Sequence, residues 1–258
     1  MKTWVKVLVG VIVVAVVAVV GVPFVYIHFI KDDAPAKLSL DDVTSSTAAP
    51  AATVDPADPV ASAAAPDSTI AADPSVATTG PSAPAGADGS YATTSESQVG
   101  YRVVEVLFGQ DTEAVGRTNS VTGSITIAGT QVTAGQFSVD MDTLKSDESR
   151  RDNVFRGEVM ETSKFPTATF VLTEPIELGS IPADGQQITA TATGDLTLHG
   201  VTKSVTFDVA AKKTGTSIGV QGSTDVKFAD YGIENPSRSG ITTQDHGLLE
   251  FLLVFEKS

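Results

Sequence analysis

The clearest alternation of apolar and polar positions in the chain lies in residues 186–209. One face of its first half is small and apolar, with Ile188, Ala190, Ala192, Gly194, Leu196 and Leu198 in phase. The second half continues the same face with Val201, Val205, Phe207 and Val209. A period of two with one dry and one wet face indicates antiparallel strands. Because Gly200 can adopt the positive φ of a tight turn, the stretch predicts a β-hairpin.

Further alternating stretches predict the rest of a β-rich domain. Strands are expected at residues 101–109, 121–129, 131–141, 217–228 and 248–255, with another beginning at Ala168. Residues 149–160 instead predict one short helix, capped by Ser149 or a neighbour. With the two arms of the hairpin this makes about eight antiparallel strands. Eight strands can close into a barrel, which removes exposed sheet edges.

Small residues in the inward phase predict free space inside that barrel. They are Gly123, Ala190, Ala192, Gly194 and Gly222. A domain that fills its own core would place larger aliphatic side chains there. We therefore expect a barrel that holds one ligand. A β-sandwich with a filled core remains the alternative, since glycine also marks bends and bulges.

The N-terminal segment has the pattern of a membrane helix. No charged residue occurs in residues 7–30, and this run makes about 36 Å of helix, enough to span a bilayer core. Lys2 and Lys6 precede the run, which predicts a cytoplasmic N-terminus. The alternative is a cleaved signal peptide ending near Ala34-Pro35-Ala36, but the apolar run is longer than an ordinary signal peptide requires.

Residues 34–97 have the composition of a disordered linker, rich in Ala, Pro, Ser, Thr and Asp without hydrophobic periodicity. As a flexible coil this linker would hold its ends roughly 45 Å apart. Three parts are thus predicted. Residues 1–33 form a cytoplasmic tip and a single transmembrane helix, residues 34–97 the linker, and residues 98–258 the barrel. The expected location is the cell membrane, single-pass, with an extracytoplasmic C-terminal domain.

Composition excludes several classes of site and partner. The net charge of −14 argues against nucleic-acid binding. The chain has no cysteine, which removes disulfides, thiol nucleophiles and Cys-based metal sites. His199 and His246 lack metal-ligand spacing, and no nucleophile elbow or phosphate-binding glycine loop occurs. We therefore predict no metal, no cofactor and no catalytic activity.

Four motifs resemble the YceI-like, polyisoprenoid-binding family. They are GDLTLHGVTKSVTF (residues 194–207), DMDTLKSDESRRDN (140–153), KFPTATF (164–170) and FADYGI (228–233), in the family's order. The resemblance covers residues 97–258. It implies an all-β, lipocalin-like antiparallel barrel that holds a long isoprenoid or similar amphiphilic lipid without catalysis.

Candidate ligand-binding residues follow from the inward phase and this resemblance. The predicted cavity lining is Phe155, Phe165, Phe170, Ala190, Ala192, Leu196, Phe207, Val220, Phe228, Phe251 and Leu253. Possible head-group contacts are Arg150, Arg151 and Asn153, because guanidinium groups bind oxyanions bidentately. The alternative is that Arg151 and Asp152 cap and brace the helix while Arg150 is solvated.

The expected function is a membrane-tethered extracytoplasmic binding protein for a polyisoprenoid or other long-chain lipid. The alternative is a structural or adhesive β-domain on a stalk, with a packed barrel and a protein partner that the sequence does not identify. An enzyme acting on a lipid in the barrel is the weakest hypothesis, because no catalytic constellation is evident.

Overall fold

A computed structural model describes residues 34–41 and 87–258 of the chain. Within them lie thirteen strands: β1 (Gly89–Thr93), β2 (Gln98–Leu107), β3 (Gln110–Thr118), β4 (Val121–Ala128), β5 (Gln131–Asp140), β6 (Lys145–Ser146), β7 (Thr167–Leu172), β8 (Ile176–Glu177), β9 (Gln187–Leu198), β10 (Val201–Thr214), β11 (Ser217–Lys227), β12 (Ile241–Thr243) and β13 (His246–Lys257). Helix α1 (Ser149–Val154) continues into a π-helical turn, Phe155–Val159, and short 3₁₀ helices span Met141–Thr143 and Phe228–Tyr231.

Eight of these strands close into an antiparallel barrel. The order around the ring is β1-β4-β5-β7-β9-β10-β11-β13, and β13 pairs back to β1 through Tyr91↔Lys257 and Thr93↔Phe255. Closure pairs the edges that an open sheet would expose. The predicted all-β, eight-stranded antiparallel barrel with one short helix is confirmed.

The membership of the ring differs from the prediction at one strand. The predicted first strand, residues 101–109, falls in β2, which pairs with the first half of β13 through Leu248↔Arg102. β1 pairs with the second half, so the two strands share one edge of β13. β2 then pairs with β3, and β3 pairs with β6. The sequence pattern did not predict β1 and β3, because both strands contain few large apolar residues.

The hairpin of β9 and β10 forms as predicted. The pairing runs without a shift from Val201↔Leu198 to Lys212↔Gln187. His199 and Gly200 form the two-residue turn, with φ values of 49° and 75°, as a type I′ turn requires. Both ring nitrogens of His199 make hydrogen bonds: Nδ1 lies 3.2 Å from the Tyr231 carbonyl oxygen, and Nε2 lies 3.2 Å from the Glu161 carboxylate. His199 therefore has a structural role at the turn.

Helix α1 begins after β6, within the helix predicted for residues 149–160. Its N-cap is Glu148, whose carboxylate accepts a hydrogen bond of 3.1 Å from the Arg150 amide. Asp152 is buried and accepts from the amide and the hydroxyl of Ser146, at 2.8 and 2.7 Å. These bonds fix the helix against the end of β6.

A short N-terminal segment crosses the outside of the barrel. We call residues 34–41 the strap. Leu38 and Leu40 are 6% and 4% exposed and pack with Leu252 and Ala210 on the outer face of β13 and β10. The strap and β1 both lie within the predicted linker, residues 34–97. That prediction therefore overlaps the folded part of the chain at both described ends, while residues 42–86 fall outside the described residues.

Residues 34–41 and 87–258 contain no helical segment with the length and hydrophobicity that a bilayer span requires. The helix predicted from the uncharged run at residues 7–30 lies outside the described residues.

Candidate binding cavity

The barrel encloses an apolar cavity of about 860 Å³. Inward side chains of β2, β4, β5, β7, β9, β10, β11 and β13 line it. Along β9 the lining runs from Ile188 to Leu198, a rise of about 33 Å at roughly 3.3 Å per residue. Ligand pockets in proteins typically measure about 300–1,000 Å³. The cavity therefore has the size of a ligand site and the length of an extended chain.

Most of the predicted lining residues face this cavity. They are Phe155, Phe170, Ala190, Ala192, Leu196, Phe207, Val220, Phe228, Phe251 and Leu253. Phe165 lies outside the lining, because it precedes β7 and packs edge-on against His199, with ring centroids 4.6 Å apart. That ligands contact the inward set stays a prediction.

The glycines predicted to leave free space do not line the cavity. Gly123, Gly194 and Gly222 are each covered by an aromatic ring instead, and a Cβ at these positions would lie 2.4 Å from a ring atom of Phe137, Phe170 and Phe251, respectively. Glycine opposite an aromatic residue allows the ring to lie flat on the backbone. Of the five small residues that the sequence predicted to leave space, Ala190 and Ala192 line the cavity.

The rings that cover these glycines belong to a belt of aromatic side chains around the cavity wall. Its successive ring centroids are 5.8 Å apart for Phe255–Phe137, 6.4 Å for Phe137–Phe170, 5.4 Å for Phe170–Phe207 and 5.7 Å for Phe207–Phe251. Aromatic pairs at such distances add to the energy of simple burial. The wall is thereby stabilised by its own contacts, and the space inside the belt stays open.

Charged residues in the lining gather at one end of the cavity, which we call the mouth. Among the described residues they are Glu105, Asp147, Glu148, Arg150, Arg151 and Arg238. Ion pairs connect several of them: Arg151 contacts Asp147 and lies 3.9 Å from the Glu105 carboxylate, and Arg238 contacts Glu158. The rest of the lining is apolar apart from a few hydroxyl groups, so the cavity matches an amphiphile with its polar group at the mouth.

The predicted head-group residues differ in how they stand at the mouth. Arg150 lies in the lining and is exposed on helix α1. Arg151 also lies in the lining, but acidic neighbours hold its guanidinium, as the bracing role required. Asn153 lies outside the lining, because its side-chain oxygen accepts a hydrogen bond of 3.0 Å from Arg156 along the helix. Arg150 is thus the best placed of the three to meet a ligand.

Two residues of the mouth had no signal in the sequence. Thr243 on β12 lines the cavity and is buried, and its hydroxyl has no hydrogen-bond partner among the described residues. A buried hydroxyl without a partner is unfavourable. Tyr101 stacks on Phe155 with ring centroids 5.0 Å apart, and burial raises the pKa of its phenol well above the ordinary 10.0. Tyr101 meets Phe155 of the π-helical turn, and Thr243 pairs with Glu105 of β2, so both positions depend on contacts between distant parts of the chain.

Groups of three or more metal-ligating His, Asp or Glu side chains are absent from the described residues. At the mouth, Arg151 pairs with Asp147 and Arg238 pairs with Glu158.

Sequence comparison identifies the family of the domain. A family model described as the YceI-like domain matches residues 91–255, from within β1 to near the end of β13. The chain belongs to the YceI-like family. Curated relatives of the YceI-like domain include UPF0312 proteins of Pseudomonas putida, 34% identical over 131 residues, and Vibrio vulnificus, 33% identical over 129 residues. The matches cover 47% and 46% of this chain and 63% and 64% of those relatives, so the chain spans less than two thirds of their length.

Solved structures share the fold of this YceI-like domain. A polyisoprenoid-binding domain from Saccharophagus degradans, implicated in plant cell wall breakdown, has a TM-score of 0.55 and 21% identity, and covers 65% of this chain and 98% of its own. BcnA of Burkholderia cenocepacia has a TM-score of 0.50 and 19% identity, with coverage of 63% and 98%. At such identities the likeness shows the common fold.

Proposed function

We propose that this YceI-like domain binds a polyisoprenoid or similar long-chain amphiphilic lipid in its barrel cavity, as a binding protein without catalytic activity. The observation that carries the proposal is the division of the cavity into a long apolar body and a charged mouth. The polyisoprenoid-binding domain of the same fold supports the choice of ligand class. A domain with a purely structural or adhesive role would have no need of such a space.

The volume of the cavity limits the size of the ligand. If each carbon-sized group takes roughly the 30 Å³ that a water molecule takes in the liquid, about 860 Å³ holds on the order of 30 such groups. Burial contributes about 0.8 kcal/mol per methylene, so a single long chain binds without strong polar contacts. We therefore expect one extended chain of roughly this size.

The polar end of the ligand would lie at the mouth. Arg150 is exposed there, and the Thr243 hydroxyl, which has no partner in the described part of the chain, can donate to a ligand oxygen. Arg151 would contribute mainly through long-range electrostatic attraction, since its guanidinium is already paired with Asp147 and Glu105. A phosphate, carboxylate or hydroxyl head group fits this arrangement.

Native mass spectrometry tests the proposal. Residues 34–258, which retain the strap and β1, would be purified from a bacterial host and analysed intact and after organic extraction. We expect one bound lipid with a long unbranched or prenyl chain. The proposal fails if the protein is empty and also takes up no prenyl lipid from vesicles. A stable protein partner whose binding survives changes in the cavity would favour the structural or adhesive role.

We further propose that the chain is anchored in the cell membrane by a helix at residues 7–30, with the barrel on the extracytoplasmic side. The uncharged run and the preceding Lys2 and Lys6 support this orientation. Liposome flotation of the full chain and protease accessibility in intact cells test it. Full digestion of the barrel by external protease in spheroplasts is expected, whereas protection of the barrel would reverse the orientation.

A further inference from the structure

The strap is held on the outer face of the barrel by specific hydrogen bonds. The carbonyl oxygen of Pro35 accepts from the Arg102 guanidinium, and that of Ala36 accepts from Arg117. Farther along, the Leu40 amide donates to the Gln221 side chain at 3.3 Å. The strap therefore contacts β2, β3, β11, β13 and β10 on the outside of the barrel.

The two arginines that bind the strap are fixed from beneath by a buried carboxylate. Glu250 is 3% exposed, and its two oxygens accept from Arg102 Nε at 3.0 Å and from Arg117 Nη2 at 2.8 Å. Arg102 also pairs with Glu113 at 2.6 Å. Buried donors require partners, and the strap carbonyls supply partners for the remaining guanidinium N–H groups. The outer face is thus built to receive this segment.

The N-terminal end of the strap lies beside the mouth of the cavity. Ala34 and Asp147 line the same small recess, between β3 and β6, and Asp147 also lines the main cavity. Only four peptide units separate Ala34 from Ile30, the last residue of the predicted membrane helix. At roughly 3.6 Å per residue this connection spans at most about 14 Å.

The strap also attaches the chain to the barrel before residues 42–86, the greater part of the predicted linker. Residues 41 and 87 are both on the barrel, so the chain between them begins and ends on the same body. If residues 7–30 form the proposed membrane helix, the short connection from residue 30 to residue 34, rather than the length of residues 42–86, would limit the separation between that helix and the barrel.

We propose that the strap docks the barrel on the bilayer with the cavity mouth facing the lipid head groups, so that lipid passes directly between the membrane and the cavity. This inference rests on the proposed membrane helix and ligand class. Phe108 supports the orientation, because it lines the mouth at the tip of the β2–β3 hairpin and is 54% exposed. An exposed aromatic ring of this kind is favoured at a membrane interface.

The test measures which end of the barrel lies nearer the bilayer. Because the chain has no cysteine, Asn153→Cys labels the mouth and Thr216→Cys labels the β10–β11 turn at the opposite end. Each labelled full-length chain is reconstituted into liposomes that carry an acceptor dye on lipid head groups. Energy transfer is expected to be clearly stronger from position 153 than from position 216.

Two further variants separate the strap from the linker. Changing Leu38 and Leu40 to Asp should release the strap and abolish the difference between the two labels, whereas Lys37→Ala, at an exposed strap position, should preserve it. Insertion of a Gly/Ser segment between residues 60 and 61 should leave transfer unchanged. Equal transfer from both labels in the unmodified strap, or transfer that falls with the insertion, would overturn the proposal.

Failure of this inference is distinguishable from failure of the proposed function. Flotation of the same liposomes reports whether the chain is anchored, and mass spectrometry of the strap variant reports whether the cavity still holds lipid. An anchored, lipid-bound protein with equal transfer from both labels refutes the orientation alone. A protein that does not float refutes the anchor.

Discussion

Ala192→Leu tests whether the cavity is open in solution. Ala192 is 3% exposed, lies opposite Phe207 in the β9–β10 pairing, and lines the cavity near the middle of β9. Leucine adds roughly three carbon atoms, which would project into the space that the ligand occupies. At about 0.8 kcal/mol per displaced methylene the loss of binding energy is about 2.4 kcal/mol, or roughly 50-fold in affinity.

The same substitution should stabilise the protein without ligand. Filling of an empty cavity commonly raises the free energy of unfolding by about 0.5–2 kcal/mol, whereas overpacking of a filled core lowers it by about 1–3 kcal/mol. The two interpretations of the barrel therefore predict opposite signs. We expect weaker lipid binding together with greater stability of the delipidated domain.

The assay combines two measurements on residues 34–258. Displacement of a fluorescent prenyl probe gives the affinity, and urea denaturation followed by circular dichroism gives the free energy of unfolding. Ser204→Leu, on the solvent-facing side of β10, serves as the control and should change either quantity by less than about 0.5 kcal/mol. A destabilised Ala192→Leu variant that binds lipid normally would refute the reasoning.

Three further predictions concern the framework of the barrel. Glu250→Ala removes the carboxylate between two arginines and should lower the free energy of unfolding by about 3–5 kcal/mol in urea, while Glu256→Ala, exposed on the same strand, should have little effect. Gly194→Ala should lower the free energy of unfolding by about 1–3 kcal/mol, because the added Cβ would lie 2.4 Å from an aromatic ring. Gly157→Ala, whose Cβ would meet nothing within 4 Å, should not lower it. Equal effects of the two substitutions would contradict the ring contact. Burial raises the pKa of the Tyr101 phenol above 10.0. The stability that the buried, protonated phenol contributes is therefore complete below pH 10.0 and is lost at higher pH, where the phenol of the unfolded chain ionises. Tyr101→Phe should therefore flatten the alkaline fall in stability, and an unchanged slope would contradict this.

Strands with strong alternation were predictable because the signal is local. β9 and β13 place small or apolar residues at every second position, and β10 and β11 do so with polar exceptions such as Lys203 and Thr224. The His-Gly turn requires only its own backbone angles. In contrast, β1 contains Tyr91 as its single buried residue and forms a strand because it pairs with β4 and β13. A local sequence pattern cannot predict a strand that is stabilised by partners far away in the chain.

The candidate site divides in the same way. The inward aromatic residues were predictable from their phase, whereas Thr243 and Tyr101 reach the mouth only through the meeting of distant elements. Inward glycines were misinterpreted as free space because the sequence does not show that Phe137, Phe170 and Phe251 occupy it. Similarly, Leu38 and Leu40 lie in a segment of linker composition, and only Leu252 and Ala210 on the outer face explain their burial.

Local patterns in the sequence were sufficient to predict the fold class, the hairpin, the apolar character of the interior and the family resemblance. Each depends on side-chain periodicity or on a contiguous motif, and these are properties of neighbouring residues. Which strands close the ring, where free volume remains, where charged residues cluster and which outer face binds the strap all depend on the three-dimensional structure. Those properties arise from pairings between residues far apart in the chain, such as Arg102 with Glu250, whose energies no local pattern encodes.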